Sequence, residues 1–330
     1  MKILVIRRDN IGDLVCTTPL FSALRRHYPE SRIDALVNSY NAPVLINNPE
    51  IDQVHVYRKA KHRSAGESRF AIWLETCRLI VRLRRTQFDL IIVATPSHQP
   101  GAVRFARWIG AKQIIACAAN DTPSGLGHEA EQVMHLLHPL GIKEAPGLLH
   151  LHADPQRAAA FSIPPPPQGN SPLIGLHISA RKTSQRWPIE RFAELAGALH
   201  TRHGARFLLF WSPGAENHPQ HPGDDDKVKR LLELCRTLPL VACRTERLDE
   251  LIAGLSLCDR IICSDGGAMH IAAGLGKPLV CFFGNSGAEH WHPWGVKHEL
   301  LQPSSRDVSD ITVTDALAAF ERLEQRLIAE

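Results

Sequence analysis

The 330-residue chain has no run of the roughly 18 consecutive apolar residues that a membrane-spanning helix requires, which excludes an integral helical membrane protein. Its start, Met1-Lys2-Ile3-Leu4-Val5-Ile6-Arg7-Arg8-Asp9, returns to charge after four apolar residues, too few for the apolar core of a signal peptide, so a cytoplasmic location is expected. The eight cysteines (Cys16, Cys77, Cys117, Cys235, Cys243, Cys258, Cys263 and Cys281) form no Cys-x-x-Cys pair and are too sparse for a disulfide framework, and buried reduced thiols are expected. Gly-x-Gly-x-x-Gly, Gly-x-x-x-x-Gly-Lys-Ser/Thr and Gly-x-Ser-x-Gly are all absent. Nothing therefore supports nicotinamide or flavin binding, a Walker phosphate loop or a serine nucleophile elbow. Aromatic residues make up only 6%, and no internal repeat of solenoid length is found.

Apolar residues at 44% and charged residues at 22% are ordinary for a globular protein, and the length suits two domains. Short apolar runs alternate with amphipathic stretches throughout. Strands are expected at 2–6, 33–37, 53–57, 89–94, 113–116, 173–177, 206–211, 260–263 and 278–283. Helices are expected at 14–27, 69–85, 102–109, 129–140, 189–203, 227–237, 248–257, 268–273 and 315–328. Such alternation predicts parallel sheets covered by helices, an α/β class of two doubly wound, Rossmann-like domains. The run Pro164-Pro165-Pro166-Pro167-Gln168-Gly169-Asn170-Ser171-Pro172 cannot donate a regular set of backbone hydrogen bonds and reads as the linker, 164–172, between domains 1–163 and 173–330. The closing helix is free in this reading to return to the N-terminal domain. Ligands of such sheets bind beyond the carboxyl ends of the strands, so the site is expected in a cleft between the domains.

The net charge of +4 is unevenly placed: residues 1–163 carry 20 Lys+Arg against 14 Asp+Glu, and residues 164–330 carry 18 against 20. Nine basic residues fall within 58–85 (Arg58, Lys59, Lys61, Arg63, Arg69, Arg78, Arg82, Arg84 and Arg85), against Glu67 and Glu75. Either a solvated helix or a surface for an anionic partner explains them. With only Phe70 and Trp73 interleaved, a base-stacking nucleic-acid platform is not expected.

Three strand–turn–helix junctions have the makings of a site. At Arg7-Arg8-Asp9-Asn10-Ile11-Gly12-Asp13-Leu14, Asp13 is either a first-turn helix acid or a carboxylate placed to take a proton from a hydroxyl. At Ser264-Asp265-Gly266-Gly267-Ala268-Met269-His270, small residues lead into a helix whose first amides would face an anion such as a diphosphate; the plainer reading is a tight turn capped by Asp265. At His177-Ile178-Ser179-Ala180-Arg181-Lys182-Thr183-Ser184-Gln185-Arg186-Trp187-Pro188, cations and hydroxyls are placed to grip phosphate, or form a solvated loop. By contrast His218, His221 and Asp224-Asp225-Asp226 lie in a proline-rich polar stretch without helical ligand spacing and read as a surface loop, not a metal centre. Glu216 follows a strand end directed at the expected cleft.

The opening from Ile3 to Leu20, with Leu24-Arg25-Arg26-His27-Tyr28-Pro29 after it, resembles the start of the family 9 glycosyltransferases, the ADP-heptose:lipopolysaccharide heptosyltransferases. Asp265-Gly266-Gly267-Ala268-Met269-His270-Ile271-Ala272-Ala273, then Gly276-Lys277-Pro278 and Phe283-Gly284, is similar to their donor motif, and Arg186-Trp187-Pro188 to a third landmark. The similarity runs end to end. It implies a GT-B fold with an N-terminal acceptor domain, a C-terminal nucleotide-sugar domain, and inverting transfer needing neither metal nor cofactor. Asp13 is then the base. Ser179, Lys182, Arg186, Glu216, Asp265, Gly266, Gly267, Ala268, Met269 and His270 bind the donor, ADP-heptose. Gly12, Arg58, Lys59, Lys61 and Arg63 meet the anionic lipopolysaccharide inner core, carried on lipid A at the cytoplasmic face of the inner membrane. The helix at 69–85 has anionic lipid as an alternative target. No nucleic-acid partner is implied. Two positions depart from the family pattern: Gly266 stands where a hydroxyl residue is common, and Gln185 where lysine often precedes Arg-Trp-Pro. They keep open another nucleotide-sugar donor, a nucleotide-sugar epimerase, or a catalytically silent nucleotide-binding protein.

Overall fold

The computed structural model describes residues 1–58, 68–118, 127–166, 169, 171–216 and 223–329. The chain divides into two units, Met1–His152 and Ala153–Glu330. The first contains β1 (Lys2–Ile6), α1 (Ile11–Val15), α2 (Thr18–His27), β2 (Arg32–Asn38), β3 (Gln53–Tyr57), α3 (Arg69–Thr86), β4 (Phe88–Val93), α4 (Pro100–Ile109), β5 (Ala111–Ile115) and α5 (Glu129–His135). The second contains α6 (Pro155–Ala158), β6 (Leu173–His177), α7 (Ile189–His203), β7 (Arg206–Phe210), α8 (Asp225–Leu234), β8 (Leu240–Ala242), α9 (Leu248–Ser256), β9 (Arg260–Ser264), α10 (Gly267–Gly274), β10 (Leu279–Phe282), α11 (Ala288–Trp291), β11 (His298–Leu301) and α12 (Val313–Ile328).

Each unit is built on a parallel sheet, ordered β3-β2-β1-β4-β5 in the first and β11-β10-β9-β6-β7-β8 in the second. The strand order reverses between β1 and β4, and again between β6 and β9. These are the places where a doubly wound sheet leaves a crevice beyond its carboxyl ends. The central strands are apolar because both faces are covered: Ile3–Ile6, Ile91–Val93 and Ile261–Cys263 are buried. Leu79 and Leu83 of α3 and Phe105 and Ile109 of α4 join one core, and Phe192, Leu195 and Phe320 of α7 and α12 join the other.

Several expectations are corrected. The stretch expected as one helix, 14–27, breaks at Cys16-Thr17, because Pro19 lacks an N–H and its ring collides with the carbonyl four residues back. The hydroxyls of Thr17 and Thr18 take up the freed Asp13 and Val15 carbonyls. The stretch 129–140 ends as a helix at His135, with Pro139 in a following 3-10 turn. The half-buried strands β8 and β11 close the two edges of the second sheet, and their short, mixed sequences carry little strand signal. The boundary between units falls at His152/Ala153, ahead of the proline run. Residues before that run already pack on the second unit, as Arg157 pairs with Asp249 at 3.1 Å and Phe161 meets Phe210 ring to ring, and the first residue of the run is held there too, since Arg206 donates to the Pro164 carbonyl at 2.6 Å. The closing helix α12 buries its apolar face against β10, β11 and α7 of that same unit.

Candidate functional site

In the first unit, β1 delivers the chain to the β1/β4 reversal, and the next seven residues form the site. Arg7 turns inward and is 1% exposed. Its guanidinium donates to the Ala94 carbonyl beyond β4, to Asp13 Oδ1 at 3.0 Å and to Glu129 Oε1 at 2.6 Å, while Nε lies 3.2 Å from an Asp9 oxygen. Burial opposes the Arg7 charge, but Glu129, Asp13 and Asp9 outweigh it and keep the guanidinium ionised. Burial would likewise raise the Asp13 carboxyl. Arg7, together with the Asn10 amide that donates to Asp13 Oδ2 at 3.0 Å, reverses this and holds it below its ordinary value. Asp13 is thus an ionised, oriented carboxylate with part of its surface open, equipped to accept a proton. It does serve as the first-turn acid of α1, through a reciprocal cap with Asn10, so the structural and chemical readings of this residue are compatible.

The loop is braced from several sides. Asn38 Nδ2 donates to the Arg8 and Asp9 carbonyls at 3.1 and 2.9 Å, and Gln99 Nε2 to Asp9 Oδ1 at 2.8 Å. Arg8 lies over the rings of Tyr57 and Phe105 and donates to the Tyr57 hydroxyl and the Gly101 carbonyl, both at 2.8 Å. Gly12 is buried in α1, where its carbonyl accepts from the Cys16 amide. Arg58, just beyond β3, is partly exposed and lies 3.9 Å from Glu75. Lys59, Lys61 and Arg63 fall outside the described residues. Arg7 and Glu129 are the residues sequence reasoning missed. They stand 122 positions apart, and each alone reads as an ordinary strand-end cation and helix-start acid.

In the second unit, β9 ends at Ser264 and α10 begins at Gly267, with Gly266 as an N-cap that supplies no side chain. Asp265 does not cap the helix. Its Oδ2 accepts from Gln185 Nε2 at 2.5 Å and from the Ser286 hydroxyl at 2.7 Å. The amides of Gly267, Ala268 and Met269 therefore open the helix without a side-chain cap, a natural seat for an oxyanion. His270 is buried with its ring against Trp291 at 5.7 Å. A Cβ on Gly284 would lie 2.0 Å from the Ser184 carbonyl, so glycine there lets the loop after β10 meet the 183–185 turn and brings Ser286 and Gln185 together on Asp265. Lys182 Nζ donates to the Asn285 carbonyl at 3.3 Å, on that same loop. Trp187 is a core anchor: its ring packs on Phe192 and its Nε1 donates to the Ile311 carbonyl at 2.9 Å.

The remaining candidates form a second cluster around α8. Ser179 donates to Asp224 Oδ2 at 2.5 Å and accepts from the Ser212 amide, so its hydroxyl is engaged in holding the strand-end loops. Glu216 lies 3.6 Å from Arg186 and 3.2 Å from Lys227, which also bonds Asp224. Asp224 and Asp225 are accordingly occupied by Ser179, Lys227, Trp211 and Arg244, while His218 and His221 fall outside the described residues. At the end of β6, burial pushes His177 down to about 4, and its Nδ1 has no hydrogen-bond partner among the described residues.

The profile of glycosyltransferase family 9 (heptosyltransferase) matches residues 130–314. Lipopolysaccharide heptosyltransferase 3 of Escherichia coli K12 is 25% identical over 346 residues, covering 94% of this chain and 95% of its own. Lipooligosaccharide heptosyltransferase 2 of Haemophilus ducreyi is 29% identical over 325 residues, covering 92% and 88%. The solved structure of the E. coli ADP-heptose lipopolysaccharide heptosyltransferase II superposes with a TM-score of 0.76 at 19% identity over 99% of both chains, and establishes the shared GT-B fold. This chain belongs to glycosyltransferase family 9, the heptosyltransferase family, and is a glycosyltransferase.

Proposed function

We propose that this family 9 enzyme transfers a heptose from ADP-heptose to an inner-core sugar of lipopolysaccharide, with inversion and without a metal ion. The observation that carries the reading is Asp13, kept ionised by Arg7 at the strand reversal of the first unit. In the proposed step an acceptor hydroxyl gives its proton to the Asp13 carboxylate while its oxygen bonds to the anomeric carbon of the donor. The bond from that carbon to the diphosphate oxygen breaks on the opposite face, and ADP leaves with the electron pair. The α10 amides from Gly267 to Met269 stabilise the charge that develops on the diphosphate, with Lys182 and Arg186 as the cations on the neighbouring loop. Arg58, with Lys59, Lys61 and Arg63, faces the anionic acceptor in this reading. The names of the relatives, two of them heptosyltransferases of lipopolysaccharide or lipooligosaccharide, support the sugar and the acceptor class. An acceptor carried on lipid A would place the work at the cytoplasmic face of the inner membrane.

A second donor sugar has one specific observation in its favour. Gln185, where the family often has lysine, is buried on Asp265 and supplies no charge to a diphosphate. The test of both readings is incubation with ADP-heptose and heptose-poor lipopolysaccharide cores in chelator, followed by mass spectrometry. A gain of one heptose, lowered about 10²–10⁴-fold in Asp13→Asn with ADP binding intact, is the expected result. Transfer undiminished in Asp13→Asn would overturn the mechanism. ADP binding without heptose gain on any core would move the reading to another donor.

A further inference from the structure

The helix α3 turns one face to the core, through Ile72, Leu79 and Leu83, and a second apolar stripe to solvent. Phe70 is 67% exposed, Trp73 59% and Val81 50%, and the rings of Phe70 and Trp73 stack at 5.7 Å. With a 3.6-residue period, positions 70, 73, 77 and 81 fall on one side, opposite the buried residues. The neighbouring α4 extends the surface: Trp108 is 46% exposed, Arg104 lies over its ring at 5.2 Å, and Arg84 of α3 donates to its carbonyl. A solvated helix would place polar residues at its outermost positions, so an aromatic stripe there calls for an apolar partner.

The flanks of this stripe say which partner. Together α3 and α4 hold seven arginines (Arg69, Arg78, Arg82, Arg84, Arg85, Arg104 and Arg107) and one acid, Glu75. Arg78, Arg82 and Arg85 are exposed beside the apolar positions. Aromatic side chains at the centre with guanidinium groups around them match a lipid headgroup layer, where rings sit at the boundary of the acyl chains and cations meet phosphate.

We propose that the outer face of α3, with Trp108 of α4, is a docking surface for an anionic bilayer. The inference deepens the proposed function, since an acceptor carried on lipid A would be met at such a surface. Its test does not depend on transfer. The full chain is sedimented with vesicles of phosphatidylcholine alone and with vesicles that also contain phosphatidylglycerol. Binding is expected on the second only, weakening with salt. The double variant Phe70→Ser/Trp73→Ser is expected to bind at least about tenfold more weakly, and Arg78→Gln/Arg82→Gln about tenfold or more, each arginine near the surface contributing about fivefold. All four side chains are exposed, and circular dichroism checks that the variants fold. Absence of binding to either vesicle, or a Phe70→Ser/Trp73→Ser protein that binds as the parent does, would overturn the proposal. So would a dimer in sedimentation velocity that this variant dissociates, because a second copy would then cover the face. In the transfer assay the same variant should lose activity on vesicle-borne acceptor and keep it on a delipidated core oligosaccharide; no transfer by the parent protein on either acceptor, with the parent's vesicle binding intact, would count against the proposed function alone.

Discussion

Replacing Glu129 by glutamine tests whether the buried charges around Arg7 act as one device. The amide keeps the shape of the carboxylate and its acceptor oxygen but removes one negative charge from a site in which Arg7 and Glu129 are 1% and 4% exposed. Deleting one partner of a buried ion pair costs about 3–5 kcal/mol, because the remaining charge is left uncompensated. Arg7 retains Asp13 at 3.0 Å and Asp9 at 3.2 Å, which places Glu129→Gln near the lower end, about 3 kcal/mol. For a unit of the length of Met1–His152, which holds these residues, each kcal/mol moves the thermal midpoint by about 2–4 °C, so a drop of about 6–12 °C in the midpoint of that unit is expected in calorimetry. The kinetic consequence has a definite sign. With less negative charge on Arg7, the guanidinium draws Asp13 further below its already lowered value. A depressed carboxyl is active as a base above its pKa and inactive once pH falls through it. The acid limb of the kcat/KM profile should therefore move to lower pH in Glu129→Gln, while the plateau falls roughly 3–10-fold because the carboxylate is a weaker base. A midpoint within about 1 °C of the parent, far below the shift expected for a buried pair, or an acid limb displaced to higher pH, would refute the coupling.

Three further outcomes follow from the second unit. Gly284→Ala should weaken ADP binding by more than about tenfold, a loss of over 1.4 kcal/mol, because its Cβ meets the Ser184 carbonyl at 2.0 Å and separates the two loops that hold Asp265; isothermal titration calorimetry measures it. Gly266→Ser should lower thermal stability by about 1–3 kcal/mol, although a Cβ there meets nothing within 4 Å, because φ of 158° with ψ of −168° is a backbone conformation that residues with a side chain rarely adopt; calorimetry is the readout. His177, at about 4 in the folded protein against an ordinary 6.5, binds its proton more readily when unfolded, so thermal stability should fall as pH drops from 6.5 towards 4, and His177→Gln should flatten that slope.

Much of this protein is written in local sequence. The apolar runs at 2–6, 89–94, 173–177 and 260–263 became central strands because a parallel strand covered on both faces must be apolar throughout. The order of those runs with amphipathic helices between them was enough for two Rossmann-like units. Asp13 and the Gly266–Met269 turn stood out because a strand end followed by glycine and a helix start is a local arrangement. Edge strands β8 and β11 were not legible, since a strand with one neighbour needs no continuous apolar run.

What tertiary structure decided are the long-range pairings. Glu129 reaches Arg7 across 122 positions, Gln185 reaches Asp265 across 80, and Arg157 joins Asp249 to tie residues ahead of the proline run to the second unit. No periodicity encodes such contacts, because a side chain's partner is set by which strand ends the sheet brings side by side. The same holds for the face of α3. Sequence shows apolar residues on two sides of the helix, and only packing decides that Leu79 and Leu83 go inward while Phe70 and Trp73 remain outside. Composition and patterning thus determined the class of fold and the turns able to carry chemistry. The charge that keeps Asp13 ionised is a property of the folded sheet, where burial strengthens every ion pair that water would otherwise screen.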